Sequence, residues 1–321
     1  MQPGGREGAE AESGRQRVKT GLLSGIRKGW AGFVWMVKIL VPISFVTSIL
    51  AWSGLIHHIG FLVEPATGFL SLPSVAALPL LIGMLTNIYG GIAAMSVLPL
   101  TESEMTLVAV FLLTAHSLIQ ESVIQGKSGL HPVKATLFRL TAAVITVLAI
   151  APFFEVTPTT SAALPLGQGD GQPFGVMIRE WVVLTGWLCG KIFVIIMSLL
   201  MALELLKALG WIHAVVRALS PLLGALGLSR KVGVLWVTAA VFGLSYGAAV
   251  IVEEAKAGHL TPEELEDLQL SIGINHSLVE DPALFLSLGL PAFWLWVPRI
   301  VMAMVATRLL SLWRAIKRRR G

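Results

Sequence analysis

Cysteine and charged residues are scarce in this sequence. It contains one cysteine, Cys189, and charged side chains make up 13% of its 321 residues, whereas soluble domains carry roughly 25%. A single cysteine excludes an intramolecular disulfide framework and a CxxC metal site. The low charge, together with a mean hydropathy of +0.78, excludes an ordinary soluble domain and indicates that lipid surrounds most of the folded chain.

Long apolar runs account for most of the remaining sequence. A helix of about 17–25 apolar residues can cross the roughly 30 Å hydrocarbon core of a bilayer. Six such runs lie at 33–56, 74–98, 137–153, 182–203, 232–252 and 292–313. We therefore predict an all-α polytopic protein that is integral to the membrane.

Basic residues are concentrated before the first run, at 6–28, and after the last, at 308–320. Basic flanks of membrane spans face the cytoplasm. Both termini are therefore expected to be cytoplasmic, in the inner (plasma) membrane of a bacterium, with membrane lipid rather than nucleic acid as their partner. The expected segments outside the bilayer are a disordered cytoplasmic tail at 1–29, an external linker at 154–181 and a basic cytoplasmic tail at 314–321.

The sequence also repeats itself. The matches at an offset of 160 are HSLIQE (116–121) with HSLVED (276–281), LTESE (100–104) with LTPEE (260–264), and Arg139 with Arg299. At an offset of 156, GLIHHIGFLVEPATGFLSL (54–72) matches GWIHAVVRALSPLLGALGL (210–228). These matches divide the chain into two membrane repeats, 30–153 and 182–313.

Matched loops of the two repeats differ in charge. Residues 57–73 contain no Lys or Arg, whereas their counterpart 207–231 contains four; residues 126–139 contain three, whereas 286–299 contains one. By the positive-inside rule, equivalent loops then face opposite sides of the membrane. This favours an inverted repeat, and the alternative is a parallel arrangement with four full spans in each half.

If 57–73 is external and 126–139 is internal, the span 74–98 enters the cytoplasm, and the stretch that follows it must leave and return on the same side. We therefore expect three spans plus one re-entrant hairpin in each repeat. In the first repeat we assign the hairpin to residues 106–125, with the HSL segment at or near its tip, which places Glu102 and Glu104 in the cytoplasm. The equivalent acidic loop at 253–267 is then expected outside.

Ionisable side chains in the two HSL segments are the candidates for function. A carboxylate at the centre of a membrane helix costs roughly 2.5–3.5 kcal/mol, so Glu121, Glu280 and Asp281 are expected to find charged partners or water. Asp281 followed by Pro282 is typical of a helix start, whose free amides attract polar groups inside a membrane. The candidate solute-binding residues are His116, Ser117, Gln120, Glu121, Asn275, His276, Ser277, Glu280 and Asp281, with Arg139 and Arg299 in supporting roles. The alternative is a hairpin whose polar side chains satisfy only their own turn.

A second polar interruption, LTNIYGG (85–91), lies within an apolar run and is matched by LSYGA (244–248). Glycines permit helix breaking or close packing at such a place, and packing alone would account for them. Because polar groups accompany the glycines, Asn87, Tyr89 and Tyr246 join the candidate solute-binding set.

The two halves resemble the nucleoside-recognition or Gate-domain membrane proteins. The resemblance covers about 33–313 and rests on the glycine-containing polar span, the acidic loop and the HSL segment followed by acidic or amide residues. That domain is shared by concentrative nucleoside transporters, the membrane part of ferrous-iron transporter B, and spore maturation proteins. The resemblance implies a transporter-like helical fold, although the chain has no GxxxxGK[ST] sequence and so departs from the iron transporter in lacking that GTPase motif.

Three functions fit these observations. The first is a transporter or permease for a small polar solute, including a nucleoside-like molecule, with a midplane histidine–carboxylate site between the repeats. Histidine titrates near neutrality, so a coupling proton or cation is the only cofactor-like ligand expected. The second is a divalent-cation transport or channel site made by the same residues, and the third is a non-transporting scaffold subunit. A homo-oligomer or a second membrane subunit would be the protein partner, and enzymatic catalysis is not expected.

Overall fold

The structure, a computed structural model, describes residues 4–55, 64–154, 173–242, 250–255, 257–258 and 260–320. Within these residues helices are the only regular secondary structure. The segments long and apolar enough to cross a bilayer are Gly14–Trp52, Glu102–Lys127, Pro132–Phe153, Phe174–Ala208 and Ala292–Arg319. The predicted all-α polytopic class is confirmed.

The helices are numbered here in chain order. In chain order they are α1 (Gly4–Trp52), α2 (Ala77–Leu85), α3 (Ile88–Met95), α4 (Glu102–Ala115), α5 (Leu118–Lys127), α6 (Pro132–Ile150), α7 (Phe174–Ala208), α8 (Ile212–Ala218), α9 (Ser220–Ala225), α10 (Arg230–Phe242), α11 (Pro262–Asn275), α12 (Glu280–Phe285) and α13 (Ala292–Arg320). The larger apolar cluster fills the space between α1 to α7 and reaches α12 and the start of α13. A second cluster lies around α9, α10 and α11.

Small residues explain why α1 and α7 pack side by side. Gly21 and Gly25 lie four residues apart and so share one face of α1. A Cβ on Gly25 would lie 2.6 Å from Met201 Cα, a backbone approach that small residues permit in membrane helices. Near the other end of the pair, the ring of Trp52 packs against that of Phe174, with centroids 5.3 Å apart. The two helices therefore run antiparallel.

Residues 4–29 are helical, so they do not form the disordered tail that was expected at 1–29. The chain is helical from Gly4, and residues from Gly21 onward pack on α7. Ser24 donates a hydrogen bond to Glu204 over 2.8 Å, and the Lys28 ammonium lies 2.8 Å from the same carboxylate. The glycine face and this ion pair extend the α1–α7 contact well before the first apolar run, which is why the helix continues there.

Residues 74–98 form a re-entrant hairpin rather than the predicted full span. Helices α2 and α3 pack side by side, and a Cβ on Gly91 would lie 3.5 Å from Gly83 Cα, which is impossible within one continuous helix. The chain reverses at Thr86, and the Asn87 side chain caps α3 by accepting a hydrogen bond from Gly90 N over 3.0 Å. At 1.5 Å per residue, helices of nine and eight residues reach about halfway across the bilayer and return.

Helices α4 and α5 form one broken span, so the assignment of a hairpin to 106–125 is wrong. Along α6, Pro132 lies beside Gly126, Thr136 bonds Ser122 over 2.7 Å, and Arg139 bonds the carbonyl of Thr114. From Pro132 to Arg139 along α6, the contacted residues move backward along the chain, from Gly126 in α5 to Thr114 in α4. Both α4 and α5 therefore run antiparallel to α6. The first repeat thus has three crossings and one re-entrant hairpin, but the hairpin is α2–α3.

The second repeat has the same broken span. Helix α11 ends at Asn275 and α12 begins at Glu280, and the two lie along α13 as α4 and α5 lie along α6. Ser277 N points to Ala239 O of α10 over 3.4 Å, as Ser117 N donates to Gly83 O of α2 over 3.0 Å. Residues 243–249, which include Tyr246, lie outside the described residues.

The two sides of the membrane differ in chemistry. On the side that carries both ends of the chain, here called the terminal side, Asp267 accepts hydrogen bonds from Arg314 over 2.5 and 3.0 Å. Glu263 pairs there with Arg318 and Glu266 with Lys134. On the opposite side, here called the linker side because Phe154 and Phe174 flank the linker there, Phe154 packs on Trp294 with centroids 4.9 Å apart.

The prediction that the acidic loop at 253–267 faces away from the termini is therefore wrong for Glu263, Glu266 and Asp267 of that loop. They neutralise the basic C-terminal helix and the start of α6. The positive-inside rule counts Lys and Arg, and Asp and Glu carry little topological information. The same revision places Glu102, at the start of α4, on the linker side.

Candidate functional site

Each broken span unwinds at its histidine and serine. His116 is extended (φ −75°, ψ 164°) and Ser117 is left-handed (φ 47°, ψ 36°). His276 is extended (φ −66°, ψ 155°), and Ser277 has a φ of 46°. A positive φ is uncommon outside glycine, so its occurrence at both equivalent serines marks one backbone break that both repeats share.

Two buried arginines satisfy the carbonyls that these breaks leave unpaired. Arg139 donates from Nε to Thr114 O over 3.0 Å and from Nη2 to His116 O over 2.8 Å. Arg299 donates in the same way to Ile274 O and His276 O. Backbone carbonyls without partners are costly where no water can reach them. A guanidinium offers several donors in a fixed fork, which makes Arg suited to two carbonyls two residues apart.

The two imidazoles meet across the interface of the repeats. His116 Nδ1 lies 2.8 Å from Leu112 O, and His276 Nδ1 lies 3.2 Å from Ile272 O. A carbonyl oxygen can only accept, so in each ring Nδ1 carries a hydrogen, and in a neutral ring Nε2 then presents a lone pair. The two Nε2 atoms are 3.3 Å apart. Lone pairs that face each other at this distance repel unless a cation lies between them.

Glu121 joins both imidazoles to an arginine. Its Oε1 lies 3.1 Å from His116 Nε2, and its Oε2 lies 3.1 Å from His276 Nε2 and 2.7 Å from Arg139 Nη1. Asp281 Oδ2 lies 3.6 Å from His116 Nε2. One carboxylate from the first repeat and one from the second thus face the same pair of ring nitrogens.

Tyr89 connects this cluster to the re-entrant hairpin. Its hydroxyl donates to Glu280 Oε1 over 3.0 Å, and Ser117 Oγ donates to Thr86 O over 3.2 Å. The hairpin tip therefore touches both broken spans. When both imidazoles are neutral, these buried or largely buried groups carry one net negative charge. The charged groups are three carboxylates and two guanidiniums: Glu121, Glu280, Asp281, Arg139 and Arg299.

Several predicted residues play other parts. Gln120 is on an exposed face of α5 and is not in the cluster. Asn275 is fully buried, and its side-chain amide has no hydrogen-bond partner within the described part of the chain, while Asn87 caps α3. Asp281 does not cap α12, which starts after Val279 without a side-chain cap; its carboxylate instead faces His116. The Asp-Pro pair predicted a helix start near the right position but not the partner of the Asp.

Sequence reasoning missed a set of buried polar side chains beside the cluster, on its terminal side. Gln125 donates to Gln269 O over 2.7 Å, and Gln269 donates to Ser128 Oγ over 2.6 Å. Gln125 follows Glu121 by four residues, so the two share a face of α5. That spacing is the signal that could have identified Gln125 from the sequence.

The cluster has the donor set of a cation site. Nε2 of His116, Nε2 of His276 and a carboxylate oxygen of Asp281 all lie within 4.8 Å of one another. Imidazole and carboxylate together suit divalent transition metals, and a proton can be shared by the same atoms. The cluster's closest contacts, from 2.7 to 3.6 Å, leave no gap between these groups wide enough for a nucleoside.

Comparison with known proteins agrees with the membrane architecture. The chain is 26% identical over 289 residues to a Bacillus subtilis (strain 168) protein described as uncharacterized membrane protein YvoD, and the alignment covers 89% of this chain and 91% of that protein. No family model matches the chain, and no solved structure matches it. The five long apolar helices among the described residues and the similarity to a membrane protein over nearly the whole chain show that it is an integral membrane protein.

Proposed function

We propose that this protein is a membrane transporter or permease for a small polar solute, in which the His116–His276–carboxylate cluster binds and releases a coupling proton. The observation that carries the proposal is the 3.3 Å separation of the two Nε2 atoms. With Nδ1 of each ring donating to a backbone carbonyl, the shared space between the rings lacks a hydrogen. One proton there turns a repulsive contact into a hydrogen bond.

Charge also favours a proton. The cluster carries one net negative charge when both imidazoles are neutral, and an isolated buried charge is unfavourable. One proton neutralises the cluster, whereas a divalent ion would leave it with one net positive charge. Histidine is the side chain whose unperturbed pKa lies nearest physiological pH, which suits a site that must load and unload.

Antiparallel pairing of equivalent elements supports an inverted repeat around this site. Helices α1 and α7 begin the two repeats and run antiparallel. Helices α6 and α13 end them and are also antiparallel, since Phe154 meets Trp294 at one end and Lys134 and Arg314 share Glu266 at the other. Inverted repeats with broken helices at the midplane are a recurrent transporter architecture, and the resemblance to Gate-domain proteins points the same way.

We further infer that the terminal side is cytoplasmic and that the membrane is the inner membrane of a bacterium. The basic ends of α1 and α13 lie on that side, as the positive-inside rule requires. Single cysteines test this in a Cys189→Ser background. Gly68→Cys and Gly224→Cys place thiols where an added Cβ meets no atom within 4 Å. An impermeant maleimide on intact cells should label residue 68 and not residue 224; equal labelling would contradict inversion.

The coupling proton is tested by pH titration of ¹⁵N-histidine-labelled protein in lipid nanodiscs. The two buried imidazoles should titrate together, with loss of one proton from a shared Nε2···Nε2 hydrogen bond. His276→Gln should abolish that transition, whereas His131→Gln, at an exposed position before α6, should leave it intact. A buried pair that shows no coupled transition between about pH 4 and 9, a range around the ordinary histidine pKa, would refute the proposal.

Transport is tested in proteoliposomes with an inward proton gradient and a panel of nucleosides as solutes. Wild-type protein should accelerate uptake of at least one solute, and uptake should collapse in His276→Gln and Asp281→Asn. Gradient-driven uptake at the wild-type rate in both variants would remove the cluster from the mechanism. A protein that takes up no solute in any gradient would be the non-transporting scaffold subunit.

A divalent metal ion is the second candidate ligand, because three ligand atoms lie within 4.8 Å of one another. Zn²⁺ added to metal-free protein provides the test. A metal site predicts one bound ion per chain, lost in His116→Gln and retained in His131→Gln. The proton site predicts no stoichiometric binding, since Arg139 already holds the carboxylate that bridges both rings.

A further inference from the structure

A set of buried side chains with amide or hydroxyl groups continues from the cluster toward the terminal side. Gln125, Ser128 and Gln269, here called the amide track, lie between Glu121 and the terminal side. Gln125 Nε2 donates to Gln269 O over 2.7 Å, and Gln269 Nε2 donates to Ser128 Oγ over 2.6 Å. All three side chains are at most 2% exposed. Beyond them, Lys134 of α6 pairs with Glu266 of α11 at the surface.

The repeat offset shows what occupies the equivalent places on the linker side. At an offset of 160, Gln125 corresponds to Phe285, Ser128 to Leu288 and Gln269 to Ala109. Phe285 and Ala109 are fully buried in the larger apolar cluster. In the same way, Lys134 corresponds to Trp294 and Glu266 corresponds to Thr106. The ring of Trp294 packs against that of Phe154.

Stability alone does not account for the amide track. The Phe285 set shows that the same backbone environment accepts apolar side chains. A buried amide is costly unless its hydrogen-bonding groups are satisfied, and Gln125 Oε1 is buried with no partner among the residues that the structure describes. Gly273 lies against the same amide, since a Cβ there would come within 3.3 Å of Gln125 Nε2. The free acceptor is one that a water molecule could use.

We propose that the amide track is the path by which the coupling proton moves between the histidine pair and the terminal side. In this conformation Phe154, Phe285 and Trp294 close the linker side. The proposal rests on the proposed function. The proton leaves the shared Nε2 site for water held by Gln125 Oε1 and Ser128 Oγ, and reaches bulk water beside Lys134 and Glu266. No covalent bond other than those to the proton changes.

Thiol accessibility tests the path without reference to proton binding. In a Cys189→Ser background, Ser128→Cys and Gln269→Cys place thiols on the track, and Ala109→Cys places one at the position equivalent to Gln269. A membrane-impermeant cationic methanethiosulfonate should modify residues 128 and 269 in inside-out vesicles and not in intact cells. Residue 109 should resist it from both sides. The proposal would be overturned if neither residue 128 nor residue 269 were modified in protein that elutes as a single folded species. It would also be overturned if residue 109 were modified as strongly as those two residues.

Proton exchange supplies the second measurement. After a pH jump, time-resolved infrared absorption of the cluster carboxylates in nanodiscs reports how fast the cluster gains or loses its proton. Gln125→Leu should slow that rate and leave the titration midpoint in place, whereas Gln125→Asn, which keeps an amide, should restore much of it. An unchanged rate in Gln125→Leu would refute the path even if the histidines titrate as expected. Absence of any titration would refute the proposed function, and the thiol result would still decide whether the track is hydrated.

Discussion

Replacement of Arg139 by Leu removes the group that holds the first broken span together. The guanidinium donates to two unwound carbonyls over 3.0 and 2.8 Å and lies 2.7 Å from Glu121, and it is 1% exposed. Removal of one partner of a buried ion pair costs about 3–5 kcal/mol. The carbonyls left unpaired add to this, since each buried group without a partner costs about 1–3 kcal/mol. We therefore expect at least about 3 kcal/mol of lost stability, or roughly a hundredfold shift in the unfolding equilibrium.

The assay is reversible unfolding by sodium dodecyl sulfate in mixed micelles, followed by circular dichroism. Arg308→Leu is the matched control, because Arg308 donates from the same two kinds of nitrogen to Ala225 O (3.1 Å) and Gly224 O (2.7 Å) at an exposed site. The loss of stability in Arg308→Leu should be far smaller, since water replaces the guanidinium as the partner of these carbonyls. Equal losses for Arg139→Leu and Arg308→Leu would refute the reasoning that burial determines the cost.

A second substitution separates charge from hydrogen bonding. Glu121→Gln removes the counter-charge that Arg139→Leu leaves unpaired, so the double variant should lose less than the sum of the two single losses. Interaction free energies of about 0.5–3 kcal/mol are usual for residues in contact. Additive losses would mean that the Arg139–Glu121 ion pair contributes no measurable free energy to stability. The hydrogen bonds from Arg139 to the carbonyls would then account for all of the stabilisation.

Three further predictions concern packing and the hairpin. Gly25→Leu should destabilise by about 1–3 kcal/mol or more, because its Cβ would meet Met201 Cα, while Gly14→Leu, which meets no atom within 4 Å, should be tolerated in the same unfolding assay. Gly91→Leu should likewise destabilise the α2–α3 hairpin, because a Cβ there would lie 2.5 Å from Leu112 Cδ1; wild-type stability would argue against a tightly packed hairpin. Tyr89→Phe should cost about 1.5–3 kcal/mol, the usual range for a hydrogen bond to a charged group, and a loss below the error of the measurement would mean that Tyr89 does not hold Glu280.

The internal repeat was sufficient to predict which residues meet. His116 and His276, with Glu121 and Asp281, are 160 residues apart in the chain and in contact in the structure, because each occupies the same place in its repeat. Arg139 and Arg299 were expected as partners of the carboxylates. Arg139 does pair with Glu121, but both arginines chiefly serve backbone carbonyls. The sequence shows a charge and its neighbours, and it does not show which carbonyls a backbone break exposes.

The hairpin could not be assigned from the sequence. Polar residues interrupt the apolar runs at Asn87 and again at His116, and either interruption could bend, break or reverse a helix. What reverses the chain at Asn87 is the contact of Gly83 with Gly91, which lets two backbones approach across the turn. What keeps the chain straight at His116 is the bond from Arg139, a residue 23 positions later. Both causes are tertiary, and local periodicity does not record them.

The arginine-bound carbonyls restrict how this protein can move. If either broken span were to wind into a continuous helix, the carbonyls of Thr114 and His116, or of Ile274 and His276, would be taken back by backbone amides. The Nε and Nη2 donors of Arg139 or Arg299 would then lose the carbonyl acceptors that they have here. The two unwound points therefore act as fixed joints, and in the proposed transporter a change of access must tilt whole helix segments about them.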